Sequence, residues 1–140
     1  MVVFCKSLRH ASKMPKRVQP PIGRSGCPIA CTLDLVGDKW TLVIVRDMLT
    51  GKKRFSDFRK SPEGIPTNIL ADRLRRMEES ALIEKTEYEK KPQRFEYILT
   101  AKGEALLPVL QNICRWANKF LKGTWVPPAS FMERKLIERS

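Results

Sequence analysis

The sequence predicts a mainly α fold with one small β-hairpin (α+β), confined to residues 27–122. Three observations predict it. Apolar residues recur at helical spacing in four stretches between Pro28 and Phe120. That period breaks after Leu82, where two roughly alternating stretches rich in β-branched and aromatic residues flank a charged tip. The first 26 residues carry neither pattern: Pro15, Pro20, Pro21, Gly23 and Gly26 punctuate a basic stretch expected to be a flexible arm. A chain of 140 residues fits one domain, and an apolar content of 42% suffices for a core.

Cys27-Pro28 opens the first element, since proline at a first helical position loses no hydrogen bond. Ile29, Leu33 and Val36 follow at helical spacing and Gly37 ends the segment. Asp38 can cap a second helix, Lys39 to about Leu49, with Trp40, Val43, Ile44 and Met48 as its apolar stripe. Thr50-Gly51 closes it. Ser56 is the candidate cap of a short helix over Asp57–Lys60, and Ser61-Pro62-Glu63-Gly64 has the composition of a turn.

Pro66-Thr67 opens the strongest helix, running to about Ser80. Leu70, Leu74 and Met77 form its core stripe, with Ala81 on the same line; Asn68, Ala71, Asp72, Arg75 and Glu78 occupy the opposite face. Ile83–Tyr88 and Arg94–Leu99 read as strands, with Glu89–Gln93 as the tip between them. Thr100 caps a last long helix whose apolar face is Leu106, Leu107, Leu110, Ile113, Trp116 and Phe120; Pro108 inside it predicts a kink or a local adjustment. Gly123 and Pro127-Pro128 set off a C-terminal extension, residues 123–140, with a short patterned stretch over Phe131–Ile137.

Lys and Arg number 27 against 15 Asp and Glu, a formal net charge of +12. Six basic residues and no acid lie in the first 26 residues, so half the excess belongs to the arm. An excess of this size favours a polyanionic partner; a soluble domain with a basic tail is the alternative, and charge alone does not separate the two. No apolar run approaches the ~20 residues needed to cross a bilayer, and Lys6 interrupts the opening before a signal-peptide core develops. We therefore expect a cytoplasmic protein without membrane contact. The four cysteines (Cys5, Cys27, Cys31, Cys114) contain no C-x-x-C pair and His10 is the only histidine, which argues against a disulfide framework, a zinc site, a thiol enzyme or any other catalytic role. No metal or cofactor is expected.

Three helices followed by a hairpin is the element order of a winged helix-turn-helix. A helix laid in the major groove needs a supporting helix behind it and polar side chains on its outward face. A hairpin beside it needs basic residues at its tip to grip phosphate. Residues 55–99 supply these parts in that order.

At this point the chain closely resembles the HxlR-type family of winged-helix transcriptional regulators, related in fold to the MarR group. The matching residues are Cys27-Pro28, Leu33–Leu42, Arg46–Leu49, Arg54–Phe58, Gly64-Ile65, Asn68–Arg75, Tyr97–Thr100, Gly103 and Leu106–Leu110. The likeness covers about residues 27–120. It implies a homodimer, joined through N- and C-terminal helices, that binds operator DNA and regulates nearby genes, often in response to an electrophile, oxidant or small molecule.

The recognition-helix set is Thr67, Asn68, Asp72, Arg73, Arg75 and Arg76. Asn can read adenine and Arg guanine; Arg73 and Arg76, at the flanks, suit phosphate or acidic neighbours. The competing reading is a solvated helix face paired at i+3 and i+4 through Asp72. Lys90, Lys91 and Arg94 form the wing set, read as phosphate or minor-groove contacts. Lys52, Lys53 and Arg54 are weaker candidates for tracking the DNA backbone. Trp40, Phe55, Phe58 and Tyr97 read as core, and Arg46 and Asp47 as partners in structural ion pairs. Leu106, Leu110, Ile113 and Trp116 are the candidate dimer interface, with Cys114 and the first helix beside them; packing within their own domain is the alternative.

Cys27 falls at a helix N-cap, where the dipole and free N–H groups favour thiolate. The resemblance implies a redox sensor at this place in some members. Cys31, one turn on, departs from the family pattern and could resolve a sulfenate or simply fill space; the alternative is that both are small buried residues. The resulting expectation is a sequence-specific DNA-binding regulator, a repressor in preference to an activator, acting as a homodimer on a palindromic operator. A non-specific basic nucleic-acid binder is the competing reading.

Overall fold

The structure is a computed structural model that describes residues 24–137. Most of the expected basic arm, residues 1–23, lies outside the described residues, as do residues 138–140. The chain divides between Asp34 and Leu35 into two units. In the first, helix α1 (Pro28–Val36) begins where Pro28 predicts; it continues across the division to the buried Val36. Arg24 Nη1 pairs with Asp34 Oδ1 at 2.6 Å. Ile29 and Leu33, expected as an apolar stripe, are exposed at 72% and 54%.

The second unit holds α2 (Thr41–Leu49), α3 (Phe55–Arg59), α4 (Thr67–Glu79), β1 (Ile83–Lys90), β2 (Gln93–Leu99), α5 (Ala101–Glu104), α6 (Leu107–Phe120) and α7 (Ala129–Met132). Helix α2 begins at Thr41 rather than Lys39, and its N-cap position is Trp40, not Asp38; Asp38 lies in the turn before it, where its Oδ2 accepts from the backbone N–H of Trp40 at 3.0 Å and of Thr41 at 3.1 Å. Helix α3 starts at Phe55 rather than Asp57, because the side chain that stops its first turn is Asp57, not Ser56. The Asp57 carboxylate reaches back to the Arg54 N–H at 3.1 Å.

Helices α2 and α4 end in the same way with different residues. After α2, Lys52 N–H bonds the Asp47 carbonyl and Gly51 N–H the Met48 carbonyl; after α4, Leu82 N–H bonds the Met77 carbonyl and Ala81 N–H the Glu78 carbonyl. Both are Schellman closures, which need one left-handed residue. Glycine supplies it at 51 (φ 106°), but at 81 an alanine is held at φ 61°. Ala81 therefore does not extend the apolar line of α4. The chain reverses there and delivers Leu82 and Ile83, 2% and 1% exposed, to the core instead.

The hairpin is longer than the sequence suggests and its tip shorter. The strands pair antiparallel from Ile83↔Leu99 to Lys90↔Gln93, leaving Lys91-Pro92 as the turn. The pairing passes from Glu87↔Phe95 to Glu89↔Arg94, so Tyr88 is an extra residue in β1, a bulge that sharpens the local twist. Tyr97 N–H also bonds the Lys53 carbonyl at 2.8 Å, anchoring β2 to the segment before α3.

The expected long C-terminal helix is two helices. Thr100 Oγ1 accepts from Gly103 N–H at 3.1 Å and caps α5, but the helix stops at Glu104. Pro108 lacks the N–H that would bond the Glu104 carbonyl and its ring would clash with it, so Pro108 sits in the first turn of a fresh helix, α6, rather than at a kink. Gly103 allows the close crossing of α5 over the α4–β1 junction: a Cβ there would lie 2.2 Å from the Leu82 carbonyl oxygen.

The core gathers Ile44, Val45 and Met48 of α2, Phe58 of α3, Leu70, Leu74 and Met77 of α4, and Leu107 and Leu110 of α6. Trp40, Phe55 and Tyr97 pack on its edge as expected. The C-terminal extension is tied to this core. Phe131 packs against it, Gln111 Nε2 donates to the carbonyls of Phe131 (2.9 Å) and Arg134 (2.8 Å), and Arg134 Nη1 donates to the Leu49 carbonyl at 2.6 Å. No helix among the described residues is long and apolar enough to cross a membrane.

The two special backbone positions predict opposite responses. Ala81→Gly removes the left-handed Cβ penalty and stabilises the fold by ~1 kcal/mol. Gly103→Ala forces a methyl onto the Leu82 carbonyl and costs about 2 to 3 kcal/mol. Urea denaturation of the two variants against the parent checks both signs.

Candidate nucleic-acid interface

Helix α4 is fixed by one side and presents the other. Leu70, Leu74 and Met77 are each no more than 2% exposed; Thr67, Asn68, Ala71, Arg75 and Arg76 are exposed. The N-cap position is Pro66, in extended conformation and without a side-chain cap, so the first-turn N–H groups are not closed off by a capping side chain.

The turn that aims α4 is pinned to α2 by a polar cluster. Asp47, 3% exposed, accepts from Arg46 Nη2 at 2.8 Å and, on its other oxygen, from the Ser61 hydroxyl. Lys52 Nζ reaches both Ser61 Oγ (3.2 Å) and Asp47 Oδ1 (3.6 Å). Arg46 bridges onward to Glu63, its Nη2 donating to Oε2 at 2.9 Å and its Nη1 to Oε1. The Arg46 hydrogen bond holds the Glu63 carboxyl below its ordinary range, and Glu63 and Asp47 in turn raise Arg46. Arg46 and Asp47 form the ion pairs expected of them; Ser61 and Glu63, legible in the sequence only as turn residues, join the cluster from the loop between α3 and α4.

The recognition set divides in three. Thr67 and Asn68 are exposed at the start of α4. Arg73 is mostly covered and turned inward: Nε donates to Asp38 Oδ2 at 2.9 Å and Nη1 to Asp72 Oδ2 at 2.6 Å. Burial works to raise the Asp38 carboxyl, but hydrogen bonds from Thr41, Trp40 and Arg73 outweigh it and the net shift is downward. Arg75 and Arg76 remain exposed while paired along the helix, Arg75 with Asp72 (2.9 Å) and Glu79 (2.8 Å), Arg76 with Asp72 (3.0 Å). The i+3 and i+4 pairing of the competing reading is thus present.

On the hairpin, Lys90 and Lys91 stand exposed at the tip, and Arg94 faces Glu89 across the strands at 3.4 Å. Of the weaker set, Lys52 is committed to the Asp47 cluster, and Arg54 stacks on the Tyr88 ring at 4.4 Å while pairing with Glu96 at 3.5 Å. Lys53 is exposed. The bulge at Tyr88 is what brings that ring under Arg54, a contact that sequence alternation alone could not show.

The α6 set also divides. Leu110 is 6% exposed and Leu106 packs on the core, so both serve their own domain. Ile113 and Trp116 are exposed, and Val109 and Phe120 join them at spacings of four, three and four, an apolar stripe 40% to 60% exposed. Trp125 and Val126, exposed at 71% and 75%, extend the apolar surface beyond α6; Asn118 Nδ2 holds their turn through the Trp125 carbonyl at 3.1 Å. Cys114 is half-buried.

In the first unit Cys27 is exposed and free. Backbone N–H groups of Ala30, then Ile29, at the start of α1 pull its thiol below the ordinary range. Cys31 is half-buried, its Sγ donating to the Ser25 carbonyl at 3.3 Å, so only one of the two fits the small-buried alternative. Among the described residues no group of three or more His, Cys, Asp or Glu is placed to hold a metal.

This arrangement agrees with what known proteins share. The family model described as HxlR-like helix-turn-helix matches residues 35–124. YdeP of Bacillus subtilis (strain 168), named an uncharacterized HTH-type transcriptional regulator, is 37% identical over 95 residues, covering 68% of this chain and 74% of its own. Among solved structures, PA1607 is 37% identical with a TM-score of 0.67 over 75% of each chain. The redox regulator HypR in its oxidized form is 33% identical with a TM-score of 0.61, covering 66% of this chain and 96% of that one. The helices, the two-stranded wing and these matches agree: the chain belongs to the HxlR-like helix-turn-helix family and is a transcriptional regulator with a winged helix-turn-helix fold.

Proposed function

We propose that the protein works as a homodimer that reads a palindromic operator and represses the genes beside it. The observation that carries this reading is α4, whose apolar side is locked into the core while Asn68 and Arg75 face outward. Asn68 reads adenine and Arg75 guanine in the major groove; Thr67 and the first-turn N–H groups meet phosphate, while Arg76 stays beside its acidic neighbour Asp72. Lys90, Lys91 and Arg94 grip the backbone from the wing, and Lys53 adds a weaker contact.

The exposed stripe Val109, Ile113, Trp116 and Phe120 supports dimerisation by a second copy, because an apolar helix face of this length is seldom left to water. Ile29 and Leu33 of α1 are a second exposed apolar pair for the same purpose. Two recognition helices related by a two-fold axis require half-sites about one helical turn of DNA apart. For the effector, the exposed Cys27 thiol at a helix start supports an oxidant or electrophile, in line with the redox regulator HypR among its structural relatives.

The reading is tested on a duplex that the protein selects from a random pool, against a scrambled copy, by fluorescence anisotropy over a salt series. The wild type prefers the selected duplex by ~10³ or more at physiological salt. Asn68→Ala and Arg75→Ala each lose about 10-fold or more on it and little on the scrambled duplex. Lys90→Ala and Lys91→Ala weaken both duplexes alike, each lowering the salt slope by about one. Equal binding of both duplexes by the wild type would instead leave a non-specific binder. Trp116→Asp shifts the protein to monomer in light scattering; an intact dimer would move the interface elsewhere. Cys27 is alkylated by iodoacetamide at a lower pH than free cysteine, and diamide releases the wild type but not Cys27→Ser from DNA. Equal sensitivity of the two proteins would remove Cys27 as the sensor.

A further inference from the structure

Asp72 stands among three arginines on the helix assigned to base reading. Its Oδ1 accepts from Arg75 Nη2 at 2.9 Å, and its Oδ2 accepts from Arg73 Nη1 at 2.6 Å and lies 3.0 Å from Arg76 Nε. The carboxylate is not a loose surface group. Arg73, whose side chain is only 18% exposed, holds it from below while its Nε is fixed on Asp38, in the turn that leads into α2. A relay therefore runs from the start of α2 through Asp38, Arg73 and Asp72 to the two exposed arginines.

The charge of α4 has the same logic. In a chain of net charge +12, the three arginines of α4 are balanced by Asp72, Glu78 and Glu79, so the helix is neutral. A surface built to grip phosphate would not be neutral. We propose that Asp72 is a specificity-determining residue of this helix: its carboxylate holds Arg75 and Arg76 in place and withholds them from phosphate, so that they engage duplex DNA only where base edges reward the contact.

A guanidinium has five N–H donors, and Asp72 and Glu79 occupy two of those on Arg75. The remaining donors suffice for a bidentate guanine contact with the carboxylates still in place. A phosphate offers no such addition. It must compete for an arginine already paired, beside a negative charge that repels it. Charge on Asp72 is secured by Arg75 first and by Arg76 and Arg73 after it.

The inference rests on the base-reading role of α4, and the experiment separates the two. Asp72→Asn keeps the shape and removes the charge. On the scrambled duplex it binds about tenfold more tightly at ~0.1 M salt, with a salt slope steeper by about one, as one freed arginine gains a phosphate. On the duplex selected by the wild type it stays within about threefold, so the preference falls about tenfold. In an Arg75→Ala/Arg76→Ala background the same substitution changes scrambled binding less than about twofold, since nothing is left to release. Asp72→Glu, which keeps the charge, stays close to the wild type. Unchanged preference in Asp72→Asn, equal tightening on both duplexes, or an Asp72→Glu protein that grips scrambled DNA as tightly as Asp72→Asn overturns the proposal while base reading by α4 stands. A wild type without preference removes base reading and this inference with it.

Discussion

The buried carboxylate of Asp47 is the constraint on which the DNA-reading geometry depends. A carboxylate this deep is tolerated only when its oxygens are fully engaged. Here the partners come from its own helix (Arg46), from the loop after that helix (Lys52) and from the loop before α4 (Ser61). Satisfying one charge therefore fixes three segments, and Arg46 extends the cluster to Glu63. The apolar core joins α2, α3 and α4; the polar cluster, with its directional bonds, fixes the turn that leads into α4. A recognition helix needs the second kind of control, because hydrophobic contact is non-directional and base contacts are not.

The molecule keeps its three kinds of surface apart. The helix facing outward from the core is electrically neutral and rich in hydrogen-bonding groups. Unpaired positive charge sits on the hairpin tip, at Lys90 and Lys91. Apolar surface left over after folding is collected on α6 and the turn that follows it.

The C-terminal extension connects two of these surfaces. Gln111 lies on the buried side of the helix that carries the apolar stripe, and it holds the strand-like segment whose Arg134 caps the last carbonyls of α2. An orphan carbonyl at a helix end is thereby closed by a residue 85 positions away. The helix expected to meet a second subunit and the helix that supports α4 are thus joined by side-chain hydrogen bonds as well as by packing.

Much of this was determined by the sequence alone. Element order, the core face of α4 and the outward placing of Asn68, Arg75, Lys90 and Lys91 follow from periodicity and from the family motifs, because a local period of 3.6 or 2 fixes which side of an element is apolar. The tertiary structure decided what depends on residues distant in the chain. Only the Schellman closure shows that Ala81 turns the chain rather than extending a stripe, since the left-handed φ is imposed by Leu82 and Ile83 entering the core. Only three-dimensional packing takes Leu110 and Lys52 out of the functional sets, because burial and ion pairing join partners that no local spacing brings together. Asp72 belongs to both: its i+3 and i+4 arginines are legible in the sequence, but the inward turn of Arg73 to Asp38, which makes that carboxylate a fixed post, required two helices to be packed side by side.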